Sequence, residues 1–368
     1  MYKICHITTL HSRTDTRIFY KECLSLSKYY DVYLIVADGY GDSIVEGVNI
    51  CDVGERHSSR FKRFIIDKSK ALKKAKELDC IIYHIHDPEL INIGVHLKKA
   101  GKKIVYDVHE DLPRQIYGKT YIKDWIKPII SWIIERKENK LAKKYDYICT
   151  ATSHIRDRFL EINTHTVDIN NYPIVNELIN NKDWDKRDDS VCYIGGLSLA
   201  RGVREIVDAL GYLNGVNLIL AGNFFDDTLK LEFKKHKQWS KVDFKGYVGR
   251  KGVLNILSQS KIGLVTLYPL INYQKALPVK MFEYMLAGIP VIVSNIKLWK
   301  SIVEDNNCGL SVDPFDAKDI ANKIQYLIDN PMEAEKMGNN GKQAILHKYN
   351  WTIEEAKLIS MYNSLLNI

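Results

Sequence analysis

Apolar positions along this chain fall into short β-rich runs separated by longer stretches of helical spacing. In the first half the strand candidates are Lys3–Thr9, Val32–Ala37, Val48–Val53, Cys80–His86, Lys103–His109 and Tyr147–Thr152. Helices are predicted between and after them at Arg17–Tyr29, Phe61–Lys76, Pro88–Lys99, Lys123–Lys144 and His154–Ile162. Such alternation predicts a parallel sheet covered by helices. The pattern stops in a polar stretch, 171–189, rich in Asn, Asp and Lys, and then restarts. New strands are predicted at Val191–Ile194, Val216–Ala221, Val242–Tyr247, Ile262–Leu267, Val291–Ser294 and Gly309–Val312, with helices near Val203–Leu213, Thr228–Lys237, Gly252–Ser258 and Ala317–Ile328. Two more helices, Met332–Lys348 and Trp351–Leu366, follow the second sheet. At 368 residues the chain is too long for one ordinary core. The expectation is an α/β protein of two doubly wound domains, 1–172 and 173–350, with a final helix over 351–368.

In such sheets ligands sit outside the carboxyl ends of the strands. The richest stretch is LPVKMFEYMLAGIPVIVSN, Leu277 to Asn295: a loop, a short helix opened by Pro278 and ended at Gly288, and a buried strand. A helix N-terminus beginning after Leu277 and Pro278 offers free N–H groups to phosphate. Lys280 adds a cation, and Glu283, one turn on, can accept hydrogen bonds from sugar hydroxyls. Anion and polyol recognition together predict a nucleotide-sugar. Gly195 and Gly196 follow the first strand of the second half and lead to Arg201 at a helix start, where a guanidinium can hold phosphate. Gly246, Tyr247 and Val248 end another strand.

In the first half, LHSRTDTRI (10–18) stands where a dinucleotide fingerprint would carry its glycines, and it has none. Asp15 or Thr16 there can cap the next helix, or Asp15 and Arg17 can contact an acceptor. His84 and His86 share a strand face, with no third metal ligand evident, so no metal is expected. His86 is a candidate acceptor contact, and Asp87 before Pro88 a helix cap. His109, Glu110 and Asp111 crowd the end of the next strand, with Glu110 on the acceptor side.

These motifs resemble the family 4 glycosyltransferases, and the resemblance covers the whole chain. It implies the GT-B fold, two Rossmann-like domains facing a central cleft, with an acceptor-binding first domain, a donor-binding second domain and a last helix crossing back onto the first. It implies retaining transfer of a hexose or N-acetylhexosamine from a UDP-sugar, or less readily a GDP-sugar, to a glycan or lipid-linked oligosaccharide in O-antigen, capsule or exopolysaccharide synthesis. The nucleotide-sugar is then a substrate, and no cofactor is expected. The resemblance places His109 beside the reacting carbon, Arg201 and Lys280 on the diphosphate, 246–248 around the nucleobase and Glu283 on donor hydroxyls. The sequence departs from the family at Gly196, where a cation is usual, at Lys275, where a glutamate eight residues before Glu283 is usual, and in the glycine-free loop at 10–18. A sugar-nucleotide epimerase of the same fold and a non-catalytic sugar-nucleotide binder are the alternatives.

Composition narrows the setting. Seven scattered cysteines with no paired spacing predict buried thiols and a cytoplasmic protein. No run approaches the ~18 apolar residues of a membrane span, and MYKICHITT reads as a strand rather than a signal peptide. The formal charge is +8, concentrated in residues 1–172, with 29 basic against 23 acidic residues. Basic clusters at Arg56–Lys76 and Lys119–Lys144 predict either solvated helix faces or peripheral contact with an anionic membrane surface. No nucleic-acid module accompanies them. Trp125–Ile134 reads as a core helix, with an interfacial amphipathic helix as the alternative. The D-x-D string Asp183-Trp184-Asp185 lies in the polar stretch and reads as linker.

Overall fold

A computed structural model describes residues 1–119, 121–178 and 184–368, with the side chain of Arg60 also outside the description. Asp183 of the D-x-D string lies outside the described residues. The chain divides into two compact units, Met1–Asn171 with Trp351–Ile368, and Tyr172–Asn350.

The first unit carries strands β1 (Lys3–Ile7), β2 (Asp31–Val36), β3 (Ser43–Val45), β4 (Val48–Asp52), β5 (Ile82–Ile85), β6 (Lys103–Val108), β7 (Tyr147–Thr150) and β8 (Thr166–Asp168). Their order is β3-β4-β2-β1-β5-β6-β7-β8, parallel except for the β3–β4 hairpin. The two edge strands β3 and β8, three residues each, are too short to stand out from periodicity. The second unit carries β9 (Ser190–Ile194), β10 (Asn217–Ala221), β11 (Val242–Gly246), β12 (Ile262–Val265), β13 (Val291–Ser294) and β14 (Gly309–Val312), in the order β11-β10-β9-β12-β13-β14, all parallel. That is the doubly wound order with its switch point between β9 and β12. In the first unit the order reverses between β1 and β5. Central strands are buried on both faces, which is why β12 and β13 read as near-continuous apolar runs.

The terminal helix Trp351–Leu366 packs into the first unit by specific bonds. Trp351 Nε1 donates to Ser25 Oγ at 3.0 Å, the Asn170 N–H donates to Glu354 at 2.8 Å, and Tyr362 reaches the strand histidines. All seven cysteines are buried and unpaired. Among the described residues no helix is long and apolar enough to cross a membrane.

One helix departs from expectation. Helix Lys127–Ala142, preceded by a 3₁₀ turn at Asp124–Ile126, buries Ser131, Glu138 and Ala142 and exposes Trp125, Ile129, Trp132 and Ile133. Its inward face is held by hydrogen bonds: Ser131 Oγ to the Pro113 carbonyl at 2.8 Å, and Glu138 accepting from Tyr106 and Arg158. It is therefore not the core helix that its hydrophobicity predicts.

Candidate functional site

Two clusters of chemically capable side chains stand at the carboxyl ends of strands, one in each unit. In the second unit, Gly195 leaves β9 at φ +141° and Gly196 follows. A Cβ on Gly195 would lie 2.9 Å from Lys280 Nζ and 3.7 Å from Arg201 Nη1. The bare backbone thus lets both cations into one corner. A Cβ on Gly196 would meet the Phe225 ring at 2.4 Å, and the same ring stacks under the Arg201 guanidinium. Phe225 fills the volume that a side chain at 196 would need.

Lys280 sits in the first turn of helix Val279–Leu286, whose N-cap is Pro278. Its Nζ is buried, lies 3.5 Å from the centre of the Tyr193 ring and has no hydrogen-bond acceptor. Burial, and then the Arg201 charge, hold the amine well below its ordinary pKa, with Glu283 opposing. Two cations side by side without a carboxylate between them form an incomplete site, and the missing element is an anion.

Glu283 is not free. Its Oε1 accepts from Arg250 Nη1 at 2.6 Å, and Arg250 Nε donates to Glu177. The helix is fastened to β9 because the Ile194 N–H donates to the Tyr284 hydroxyl at 2.9 Å. Its approach, including Leu277, is held by Trp299 Nε1 donating to the Ala276 carbonyl at 2.7 Å. Gly246 closes β11 at φ +64° and accepts from the Gly222 N–H at 2.7 Å. Tyr247 is exposed and Val248 half-buried beside it. Sequence reasoning missed Arg250, Tyr193 and Phe225, since none of them belongs to a recognisable local motif.

The first unit's cluster is centred on Asp107, the penultimate residue of β6. Arg17 clamps it with two bonds, Nε to Oδ2 at 2.9 Å and Nη2 to Oδ1 at 2.8 Å. His109 Nε2 lies 2.8 Å and His86 Nδ1 3.1 Å from Oδ2. Burial raises the Asp107 carboxyl, but Arg17 and His109 outweigh it and hold the pKa well below the usual range. An ionised Asp107 must receive a proton from each imidazole, which fixes the hydrogen bonds behind it. His86 then presents Nε2 as acceptor to His6 Nδ1 at 2.9 Å. His6 Nε2 accepts from the Tyr362 hydroxyl at 3.2 Å, whose oxygen accepts from His84 Nδ1 at 3.0 Å. The chain of donated hydrogen bonds runs one way, from His84 to Asp107, and leaves a bare His84 Nε2 lone pair at its start. Burial depresses all three strand histidines, His86 to about 4.

His6, Glu22, His84 and His86 also place ligand atoms within 4.8 Å of one another, so a third and a fourth ligand do accompany His84 and His86. The His6 and His86 rings, however, lie nearly parallel, with centroids 5.1 Å and facing nitrogens 2.9 Å apart. That is an end-to-end hydrogen bond, whereas metal ligands would aim both lone pairs at a common point.

The geometry corrects several expectations. Arg17 is buried against Asp107, Glu22 and the Ile169 carbonyl, so it is no acceptor contact. His86 is likewise interior and stands behind His109. Asp87 caps no helix; it accepts from Thr8 Oγ1 and from the Thr9 and Leu10 N–H groups, pinning the turn after β1. Asp15 is an N-cap, accepting from the Arg17 and Ile18 N–H groups, and also faces His11 at 3.4 Å. Glu110 is exposed and bonded by Gln115. His109 and His11, ring centroids 5.0 Å apart, are the partly exposed end of the network.

Residues 175–344 match the family described as Glycosyl transferases group 1. The second unit carries a group 1 glycosyl transferase domain. This domain contains Gly195, Gly196, Arg201, Lys280 and Glu283. Glycogen synthase of Mycobacterium tuberculosis is 21% identical over 239 residues, covering 62% of this chain and 56% of that protein. The chain thus spans little over half the length of this curated relative. Sucrose-phosphate synthase from Thermosynechococcus elongatus superposes with TM-score 0.81 at 16% identity, over all of both chains. Anabaena Alr3699/HepE in complex with UDP-glucose gives 0.75 at 15% identity, over 99% of this chain and 100% of that one. The architecture is the GT-B fold: two Rossmann-like α/β units whose sheets are parallel apart from the β3–β4 hairpin.

Proposed function

We propose that the chain is a glycosyltransferase that moves a hexose or N-acetylhexosamine from a nucleoside diphosphate sugar, UDP-linked in preference to GDP-linked, to a lipid-linked glycan with retention of configuration. The observation that carries this reading is the Lys280 amine, buried without an acceptor beside Arg201 at the glycine corner after β9. A diphosphate supplies the missing counter-charge. As the sugar–phosphate bond breaks, negative charge grows on the leaving diphosphate, and Arg201, Lys280 and the N–H groups of helix Val279–Leu286 stabilise it. These groups do the work that a divalent cation does elsewhere, so turnover should survive a chelator; loss with EDTA and rescue by Mn²⁺ or Mg²⁺ would defeat this part. Glu283, steadied by Arg250, takes donor hydroxyls. In the first unit His109 is the substrate-facing imidazole and Asp107 its positioning residue. The group 1 domain and the UDP-glucose bound to the HepE protein support the donor class.

Binding a diphosphate beside the depressed Lys280 amine should draw a proton onto it. Calorimetric titration with UDP-glucose in buffers of different ionisation heat should show proton uptake that vanishes in Lys280→Met. Equal binding and equal proton balance in both proteins would sink the assignment. Conversion of donor to an epimer without acceptor would identify an epimerase, and binding with no turnover in the presence of acceptor extract a non-catalytic binder. The second of these draws some support from Gly196 and Lys275, which depart from the family pattern.

A further inference from the structure

Helix Lys127–Ala142 and the turn before it present their apolar stripe outward. Trp125, Ile129, Trp132 and Ile133 recur at helical spacing and are 71%, 53%, 56% and 52% exposed. A second segment, helical from Arg60 to Asp67, exposes Phe61, Ile65 and Ile66. The two segments adjoin: Lys137 of the long helix lies 5.6 Å from the Phe64 ring centre, with Lys68 at 4.0 Å. Arg136 covers Trp132 at 4.8 Å. Around these side chains the charge has one sign. Residues 56–76 hold nine basic residues and one acidic, and residues 119–144 eight and three. The acidic residues are largely spent: Asp67 and Glu138 are buried on His57 and Arg158, and Glu135 is bonded by Arg114. Only Asp124 of the four is fully exposed.

We propose that this face docks on an anionic lipid bilayer, with Trp125, Ile129, Trp132 and Ile133 inserted at the headgroup boundary and the surrounding lysines and arginines on lipid phosphates. An apolar stripe ringed by cations, with tryptophans at its centre, is the composition that settles in that boundary. A second copy of the same face would set cation against cation, and even the exposed Asp124 is already paired with Lys127 at 2.6 Å, which disfavours self-association. The inference deepens the reading of a lipid-linked acceptor, yet it rests on residues outside both clusters and needs no donor. Charge alone, as read from sequence, gives attachment that salt releases; the exposed stripe adds a part that salt does not release.

The test uses the full chain with vesicles of phosphatidylcholine alone and of phosphatidylcholine with phosphatidylglycerol. Trp125 and Trp132 are far more exposed than Trp184, Trp299 and Trp351, which are buried, so emission reports on insertion. Expected are pelleting with anionic vesicles only, a blue shift on binding, and residual binding at high salt. Trp132→Ser/Ile133→Ser should lower the salt-resistant part about tenfold or more, with melting temperature unchanged because both side chains are mostly solvated. Lys62→Glu/Lys137→Glu should lower the low-salt part. Equal pelleting with both vesicle types, or no blue shift in the unmodified protein, overturns the proposal. So does a concentration-dependent dimer that the serine pair abolishes while vesicles bind nothing. If vesicle binding fails while UDP-glucose still binds, only the docking surface is lost and the donor reading stands.

Discussion

The two clusters answer the same question about buried charge in opposite ways. In the first unit the Asp107 charge is met by Arg17, His86 and His109, and hydrogen bonds behind them run through His6 to Tyr362 and His84, leaving His84 Nε2 and the Glu22 oxygens without a hydrogen-bond partner. In the second, Arg201 and Lys280 share a corner and Lys280 Nζ meets no acceptor at all. A network whose central charge is met fixes geometry and presents its binding groups at its exposed rim. An open one costs stability and keeps its binding energy for a ligand.

The sharpest way to break this contrast is to remove one member from each cluster. Asp107→Ala strands a buried guanidinium and should destabilise the first unit by about 3–5 kcal/mol in chemical denaturation. Lys280→Met removes a buried amine that has no hydrogen-bond acceptor and keeps an apolar chain against the Tyr193 ring, so it should leave stability unchanged or raised. A comparable loss from Lys280→Met would mean that the second cluster is also structural. On activity the order reverses. Arg201→Ala should lose about 2–4 kcal/mol of transition-state stabilisation, measured as kcat/KM, as for one lost charge-stabilising donor. Unchanged turnover would remove Arg201 from the site.

A third test uses acid. The ordinary histidine pKa is near 6.5, and His86 is held at about 4 by burial, with His6 and His84 also depressed. Between those values the unfolded chain binds more protons than the folded one. Each such group therefore contributes stability that is full above about pH 6.5 and falls by roughly 1.4 kcal/mol per pH unit toward pH 4. Glu22, raised by burial and then by Asp107, opposes the trend in its own window above 4.5. Three histidines against one carboxyl should still leave a clear fall in melting temperature between pH 7 and pH 5. A flat profile would show that the strand histidines are not buried neutral. The smallest effect is expected at Glu283: Glu283→Gln should weaken donor binding by about 1 kcal/mol, as for one charged hydrogen bond made neutral, and equal calorimetric affinities would leave Glu283 as Arg250's structural partner only.

Much of the second cluster was legible because its parts lie in local motifs. Glycines after a strand, a cation at a helix start, and a lysine and glutamate one turn apart can each be read without knowing the fold. The same logic found His109 at a strand end. It failed inside the first unit, where Arg17 meets Asp107 across 90 residues and His6 meets Tyr362 across 356. Periodicity gives the face on which a side chain lies and says nothing of which distant partner neutralises it. Hence Arg17 and His86 looked like surface contacts when they are supports. The helix Lys127–Ala142 misled for a related reason: hydrophobicity marks a face that avoids water without saying what covers it.

The bond between Tyr362 and His6 also imposes an order on manufacture. Residues 172–350 form one uninterrupted unit and can close as soon as they leave the ribosome. The first unit, though begun earlier, lacks Trp351, Glu354 and Tyr362 until residues 351–368 are made. Its histidine relay stays open-ended meanwhile, with two imidazoles short of a partner. A chain truncated after residue 350 therefore holds a finished second unit and an unfinished first one.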